Sequence, residues 1–485
     1  MKNAGAMLVS QVVTWTLTLV FSIVMRRVLG PEGSGHIVIA QSIWLIAGVF
    51  IGFGMDLLLT KEIARNHERA AELLGTSYLL RIGFYMLGGI LVLGYSLLMG
   101  YDPQTTLLIQ VVGLSTLFMQ LAKASQATHQ GLETMEYISI SDIASKLANT
   151  LLGVLVLFLG FRELAVAWVL VVATLVLFLT QVYFLRRRHG LRPVFRRDLT
   201  VWMLRSSLPY MASVFGMVAY GELSVITISM QVGVGEVGWY GAASQIFGTL
   251  LFGAVVYNTV TFPSMARAHT TSPERMPELL RRNLELILLI SVPIGLGVVA
   301  VGDKLMLLLF GPPFAPSGQI LQVMGFILIF MYLNVLFGQY FNSIDRQHIW
   351  TTVVIISALS IVPLNFVTVP WAERAFGVGA LGGAFSFLIT EVGQFVAGWL
   401  LVPKGTLNWR SVRYILQVSL AGALMVACVW MVREMFIVIP IVVGALAYPA
   451  LALMLRVVSH DDIELIRQTG RGLFARIRSA RTKPA

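Results

Sequence analysis

Apolar positions in this chain come in runs of about twenty residues, separated by short stretches rich in glycine, proline and charge. A helix needs about 20 apolar residues to cross ~30 Å of hydrocarbon. On that measure the runs at 4–25, 36–55, 77–99, 105–127, 137–160, 164–185, 207–230, 238–260, 284–301, 318–341, 350–370, 378–401, 413–432 and 437–455 predict fourteen spanning helices. The first run is too long for a signal-peptide core. It ends at Arg26-Arg27 without a small-residue cleavage site, so it reads as a retained first span.

Composition agrees. Apolar residues make up 57% of the chain, charged residues 12%, and the mean hydropathy is +0.81. Soluble domains carry roughly 25% charged residues, so lipid is the natural solvent here. The net charge of +11 does not call for nucleic acid, because no segment is large enough to group basic residues on one folded surface. It fits the excess of Lys and Arg found in cytoplasmic loops. With the N-terminus in the cytoplasm and alternating helices, inside segments hold 28 of the 35 Lys and Arg residues and outside segments hold 6. Arg81 lies within a helix. Both termini are therefore expected in the cytoplasm. The single cysteine, Cys428, permits no internal disulfide and no cysteine-based metal cage.

The connections set the expected organisation: an all-α integral membrane protein of about fourteen transmembrane helices, with two pseudo-symmetric six-helix bundles plus two C-terminal helices. The N-terminal bundle is 1–185, and a basic cytoplasmic linker occupies 186–206. The C-terminal bundle is 207–401, helices 13 and 14 fall in 402–455, and a basic tail fills 456–485. The tail is amphipathic. It reads either as a helix lying on the anionic inner leaflet or as a solvated tail. Outside connections are short, which leaves no room for a soluble catalytic domain.

The two bundles share a repeat. LGPEGSGHIVIAQSI (29–43) and VGVGEVGWYGAASQI (232–246) align at a fixed offset of 203, which places Gly30 on Gly233, Gly35 on Gly238, Ala40 on Ala243 and Ile43 on Ile246. The offset covers six helices, an even number, so both copies share one orientation. Parallel repeats about an axis along the membrane normal are a transporter architecture.

Catalytic signatures are missing from the sequence. There is no GxxxxGK[ST], HExxH or GxSxG, and the histidines are scattered. Two segments match GxGxxG, beginning at Gly233 and Gly377, but each joins two spanning helices and lacks the strand that a dinucleotide site needs. They read as tight turns. No catalytic residue, metal site or cofactor is expected.

Ionisable residues at membrane depth carry more information, since each is costly there and commonly functional. Glu222 and Glu391 are the deepest carboxylates, and they are candidates for ion coupling or for a local hydrogen bond between helices. Lys123 lies in the inner part of helix 4. Asp142 and Lys146 are four apart on helix 5 and so share a face. Arg81 and Arg205, at inner helix starts, either line an inward mouth or snorkel to headgroups. Asp56, Lys61, Glu62 and Arg65 read as a solvated loop. Polar groups within spans, among them Gln245, Asn258, Asn334, Gln339, Asn365 and Gln394, either line a wet cavity or hold helices together.

Five segments carry a resemblance to a known family: LGPEGSGHIVIAQSI, GFGMDLLLTKEIAR (52–65), GLETMEYISISDIASK (131–146), VGVGEVGWYGAASQI and FGPPFAPSGQILQ (310–322). In order and spacing the chain resembles the Wzx-type oligosaccharide flippases, or polysaccharide biosynthesis transporters. Their superfamily also includes the MATE exporters and the lipid II flippases. The resemblance implies movement of a polyprenyl-pyrophosphate-linked oligosaccharide across a prokaryotic cytoplasmic (inner) membrane, for O-antigen, capsule or exopolysaccharide. It implies a cationic cavity, to which Arg81, Lys123, Lys146 and Arg205 are the candidate contributors, with Arg26 and Arg27 at the outer end. It implies as partners the lipid-linked substrate, membrane lipids, a polysaccharide polymerase and glycosyltransferases. A MATE-like cation-coupled exporter of drugs or metabolites is the alternative.

Overall fold

The computed structural model describes residues 2–457, so the expected tail lies outside the described residues except for Arg456 and Val457. The described residues form helices and no strand. The helices are α1 (Lys2–Gly52), α2 (Met55–Arg65), α3 (Ala70–Leu98), α4 (Pro103–Gly131), α5 (Met135–Phe158), α6 (Glu163–His189), α7 (Arg197–Ser229), α8 (Val234–Leu250), α9 (Phe252–Thr271), α10 (Met276–Phe310), α11 (Ala315–Ser343), α12 (Gln347–Phe376), α13 (Ala380–Leu401), α14 (Trp409–Met431) and α15 (Val438–Met454).

Ten helical stretches among the described residues are long and apolar enough to cross a membrane, or eleven if α7, bent by 49°, is one span. The sequence reading of fourteen also separates the two arms of α1 and counts α8 and α15, which are 17 residues each. The arms of α1 join at Gly30, whose φ of 70° and ψ of −173° break the helix. Glycine enters this region without a Cβ penalty, and Pro31 then opens the second arm where a backbone N–H would have no helical partner.

Other termini follow local chemistry. Asp102 caps α4 by accepting the amides of Gln104 at 3.0 Å and Thr105 at 3.2 Å, with Pro103 in the first turn. The Thr105 hydroxyl and these amides hold the Asp102 carboxyl below its ordinary range. Asn408 caps α14 by accepting the amide of Arg410. Phe53 and Gly54, both at positive φ, separate α2 from α1. Large apolar side chains lie open on outer helix faces, as with Ile90, Leu91 and Leu98 of α3 at 69%, 64% and 84% exposure. A face of this kind is suited to acyl chains and not to water.

The chain condenses into two compact units. Among the described residues, one comprises 2–246, 305–323 and 351–394, and the other 247–304, 324–350 and 395–457. In the first unit the two repeat segments pack on each other. Gly35 lies against the carbonyl of Val234, and Gly238 lies against the carbonyl of Pro31, so that a Cβ at either glycine collides with backbone. Adding 203 to Pro31 gives Val234, and adding 203 to Gly35 gives Gly238. One contact is therefore the symmetry mate of the other. Gly241 abuts Val38, its own counterpart at the same offset, and so marks where a two-fold axis would pass.

Within the second unit, α14 lies close on α10 because Gly422 faces Val292 and Leu296, where a Cβ would come within 2.7 Å and 2.6 Å of their side chains. Helix α15 packs on α14 through Gly444, opposite Val429.

Candidate functional site

Arg81 of α3 is fully buried. Its Nη2 donates to Asp56 at 2.5 Å, its Nη1 to the Gln120 carbonyl at 2.7 Å and to Gln120 Oε1 at 3.0 Å, and its Nε to Ser77 at 3.1 Å. Gln120 of α4 in turn donates to the carbonyl of Gly48 at 2.9 Å. This approach needs glycine, because a Cβ at Gly48 or Gly52 would come within 2.9 Å or 2.8 Å of the Gln120 amide. The guanidinium thus neither opens on a mouth nor snorkels; it ties three helices together. Asp56, read from sequence as part of a solvated loop, is its counter-ion.

Beside this ion pair lies a cavity of about 130 Å³, lined by Trp44, Asp56, Gln120 and Lys123 with Val214 and Val218 of α7. The structure therefore brings Arg81 and Lys123 to one place, the first behind the wall and the second exposed on it. Lys146 and Arg205 do not line this cavity. Lys146 is half-buried on α5 one turn from Asp142, and Arg205 is exposed on α7. Arg26 and Arg27 bond main-chain carbonyls of distant segments. Arg26 is buried, donates to the Gly241 carbonyl at 3.0 Å and lies over the ring of Phe310. Arg27 donates to the carbonyls of Leu308 and Leu309 at 2.5 and 2.8 Å. Those carbonyls belong to the last turn of α10, where helical partners run out and positive charge is favoured.

The two deep carboxylates occupy different settings. Glu222 on α7 is half-buried, with the Ser42 hydroxyl in hydrogen-bonding reach. Glu391 on α13 is 2% exposed and accepts from the Tyr220 hydroxyl at 2.7 Å. That hydroxyl also meets Thr390 at 2.9 Å and accepts from Gln394 at 3.0 Å, while the Tyr220 ring packs edge-on against Phe387. Further along the same seam, Asn365 of α12 donates to Thr227 at 2.5 Å and to Ser224 at 3.4 Å, and Thr368 meets Ser386 at 2.6 Å. Asn365 and Gln394 thus join helices within the seam. Tyr220 was missed in the sequence because it reads as one more aromatic in a span. Its signal was the spacing Tyr220, Ser224, Thr227, which puts three hydroxyls on one helix face.

No curated protein sequence matches the chain. Among solved structures the chain is similar to the lipid II flippase MurJ in an inward closed conformation, at 14% identity, with TM-score 0.76 over 94% of this chain and 98% of that one. It is similar to a multidrug resistance MATE family transporter of the MOP superfamily in an inward-facing conformation, at 14% identity and TM-score 0.65 over 80% and 94% of the two chains. It is also similar to a MOP superfamily transporter from Pyrococcus furiosus, at 13% identity and TM-score 0.55 over 87% and 94%. The fold is that of membrane flippases and transporters. The family model described as polysaccharide biosynthesis protein matches residues 1–269, more than half of the chain, and the protein belongs to that family.

Proposed function

We propose that this protein flips a polyprenyl-pyrophosphate-linked oligosaccharide from the cytoplasmic to the outer leaflet of a prokaryotic inner membrane, and that it supplies O-antigen, capsule or exopolysaccharide assembly. The observation that carries the reading is the reciprocal packing of Gly35 on Val234 and Gly238 on Pro31. Alternating access in repeat-built transporters moves one repeat against the other, and here segments of the two repeats meet directly. In this reading twelve helices form the two bundles 1–185 and 207–401, α14 and α15 are appended to make fourteen, and both termini are cytoplasmic. The lipid tail stays in the bilayer while the headgroup crosses between the bundles. Lys123, on an open cavity wall beside Asp56, is the favoured cationic contact. Glu222 and Glu391 are the coupling candidates, and Glu391 holds the better-built setting.

The test is reconstitution in liposomes with a fluorescent polyprenyl-pyrophosphate oligosaccharide on one leaflet, movement being read by reagent accessibility under proton, sodium or voltage gradients. Transfer above empty liposomes supports the reading, and its absence in correctly inserted protein under all three gradients overturns it for that cargo. The buried Glu391–Tyr220 pair favours one second reading, a cation-coupled exporter of the MATE type. Retention of drug export after removal of α14 and α15 would favour that alternative.

A further inference from the structure

We propose that the second unit carries a site for an anionic phospholipid, formed where α10 and α14 begin and α15 ends, at one membrane face. A cleft of about 780 Å³ lies there. Five arginines line it: Arg281, Arg282, Arg410, Arg413 and Arg456. Only two carboxylates, Glu278 and Glu285, oppose them among the lining residues. The excess of positive charge selects an anion, and guanidinium forks match phosphate oxygens in pairs.

The scaffold is fixed. Tyr414 donates to the Glu285 carbonyl at 3.2 Å, which ties the start of α14 to α10 at the floor of the cleft. Gly422 and Gly444 set the helix spacings about two and three turns deeper. Arg456 is held at a φ of 54°, a left-handed conformation unusual for a side chain of this size, where its amide bonds the Leu453 carbonyl. That turn brings Arg456 onto the cleft wall.

The surroundings select a lipid over a free anion. Leu286, Ile290, Leu416, Leu420 and Leu453, on the membrane-ward turns of the same three helices, are 40–59% exposed. A phosphate in the cleft would therefore have acyl-chain surface directly beneath it. Trp409, 75% exposed at the start of α14, places this level at the headgroup boundary, where tryptophan prefers to lie. The face is also the one on which the distribution of Lys and Arg puts the cytoplasm, the anionic leaflet in the usual arrangement. Binding here is independent of the cargo that the transporter moves.

The experiment is native mass spectrometry of the full-length protein with phosphatidylglycerol, with phosphatidylcholine of the same acyl chains, and with inorganic phosphate. Preferential retention of phosphatidylglycerol is expected. It should weaken about tenfold or more in the Arg410→Gln/Arg413→Gln variant, stay intact in Arg374→Gln, and fall with added salt in the wild-type protein. Equal retention of both lipids, displacement by inorganic phosphate alone, or undiminished phosphatidylglycerol binding in the double variant would each overturn the proposal. The salt titration on wild-type protein decides the matter should the double variant fail to fold.

Discussion

Gly35 sits on the backbone carbonyl of Val234, and the equivalent contact 203 residues on, Gly238 on Pro31, repeats it in reverse. The same sequence feature thus appears as both halves of one interface, and each half forbids a side chain on the other.

Gly35→Val and Gly238→Val should each pry this interface apart, at a cost of about 1–3 kcal/mol in the closed arrangement. Glu32 and Gly235 offer the readout, since a Cβ at 235 comes within 3.6 Å of Glu32 Cγ. A Glu32→Cys/Gly235→Cys pair should cross-link readily and arrest transport reversibly. Adding Gly35→Val should lower the cross-linking yield several-fold. An unchanged yield would mean that the glycine contact does not hold the segments together.

Arg81→Met should destabilise the protein by about 3–5 kcal/mol, because Gln120 and Asp56 lose the charge that satisfies them. Asp56→Asn should cost less, since the Asp56 side chain is 42% exposed. The double substitution should cost less than the two singles together. Thermal unfolding in detergent measures all three, and strict additivity would show that the pair is not coupled.

Tyr220→Phe keeps the ring against Phe387 and removes the hydroxyl that meets Glu391, Thr390 and Gln394. A loss of about 1–3 kcal/mol is expected, because the hydrogen bonds are lost by buried polar partners. If Glu391 also couples an ion, Tyr220→Phe and Glu391→Gln should both shift the gradient dependence of transport, while Tyr78→Phe, which loses a hydroxyl bonded to Ser125 elsewhere, should not. Identical gradient dependence in all three would confine Glu391 to a structural role.

Asp102→Ala should cost about 1 kcal/mol, the usual worth of a helix cap. The folded carboxyl titrates below its unfolded value. Its contribution is therefore fully present above the ordinary carboxylate range and disappears as pH falls through the lowered folded value. The stability difference between wild type and Asp102→Asn should follow that course across an acid titration, and a constant difference would argue against the cap.

Much of this was legible in one dimension. Apolar run lengths located the helices, and the fixed offset located the pair of segments that meet. The break at Gly30 was visible because a Gly-Pro step interrupts two long apolar runs. What stayed hidden depended on approach between distant elements. Asp56 looked solvated because nothing near it in sequence is its partner; Arg81 lies 25 residues away, and it also bonds the Gln120 side chain that Gly48 and Gly52 admit. Arg26 and Arg27 looked like the rim of a cationic path, yet they bind main-chain carbonyls more than 200 residues away. No pattern in a single span announces a carbonyl supplied by another.

The crosswise geometry of the repeat also constrains how such a chain can diverge. After a duplication, the residue that restricts position 35 is not its own copy at 238 but the counterpart of position 31, namely 234. Substitutions should therefore co-vary along the diagonals 35–234 and 31–238, while 38 and 241 constrain each other directly. A lineage free to alter one copy at will would have to surrender the interface, so the two copies are bound to drift as a pair long after most of their shared sequence has faded.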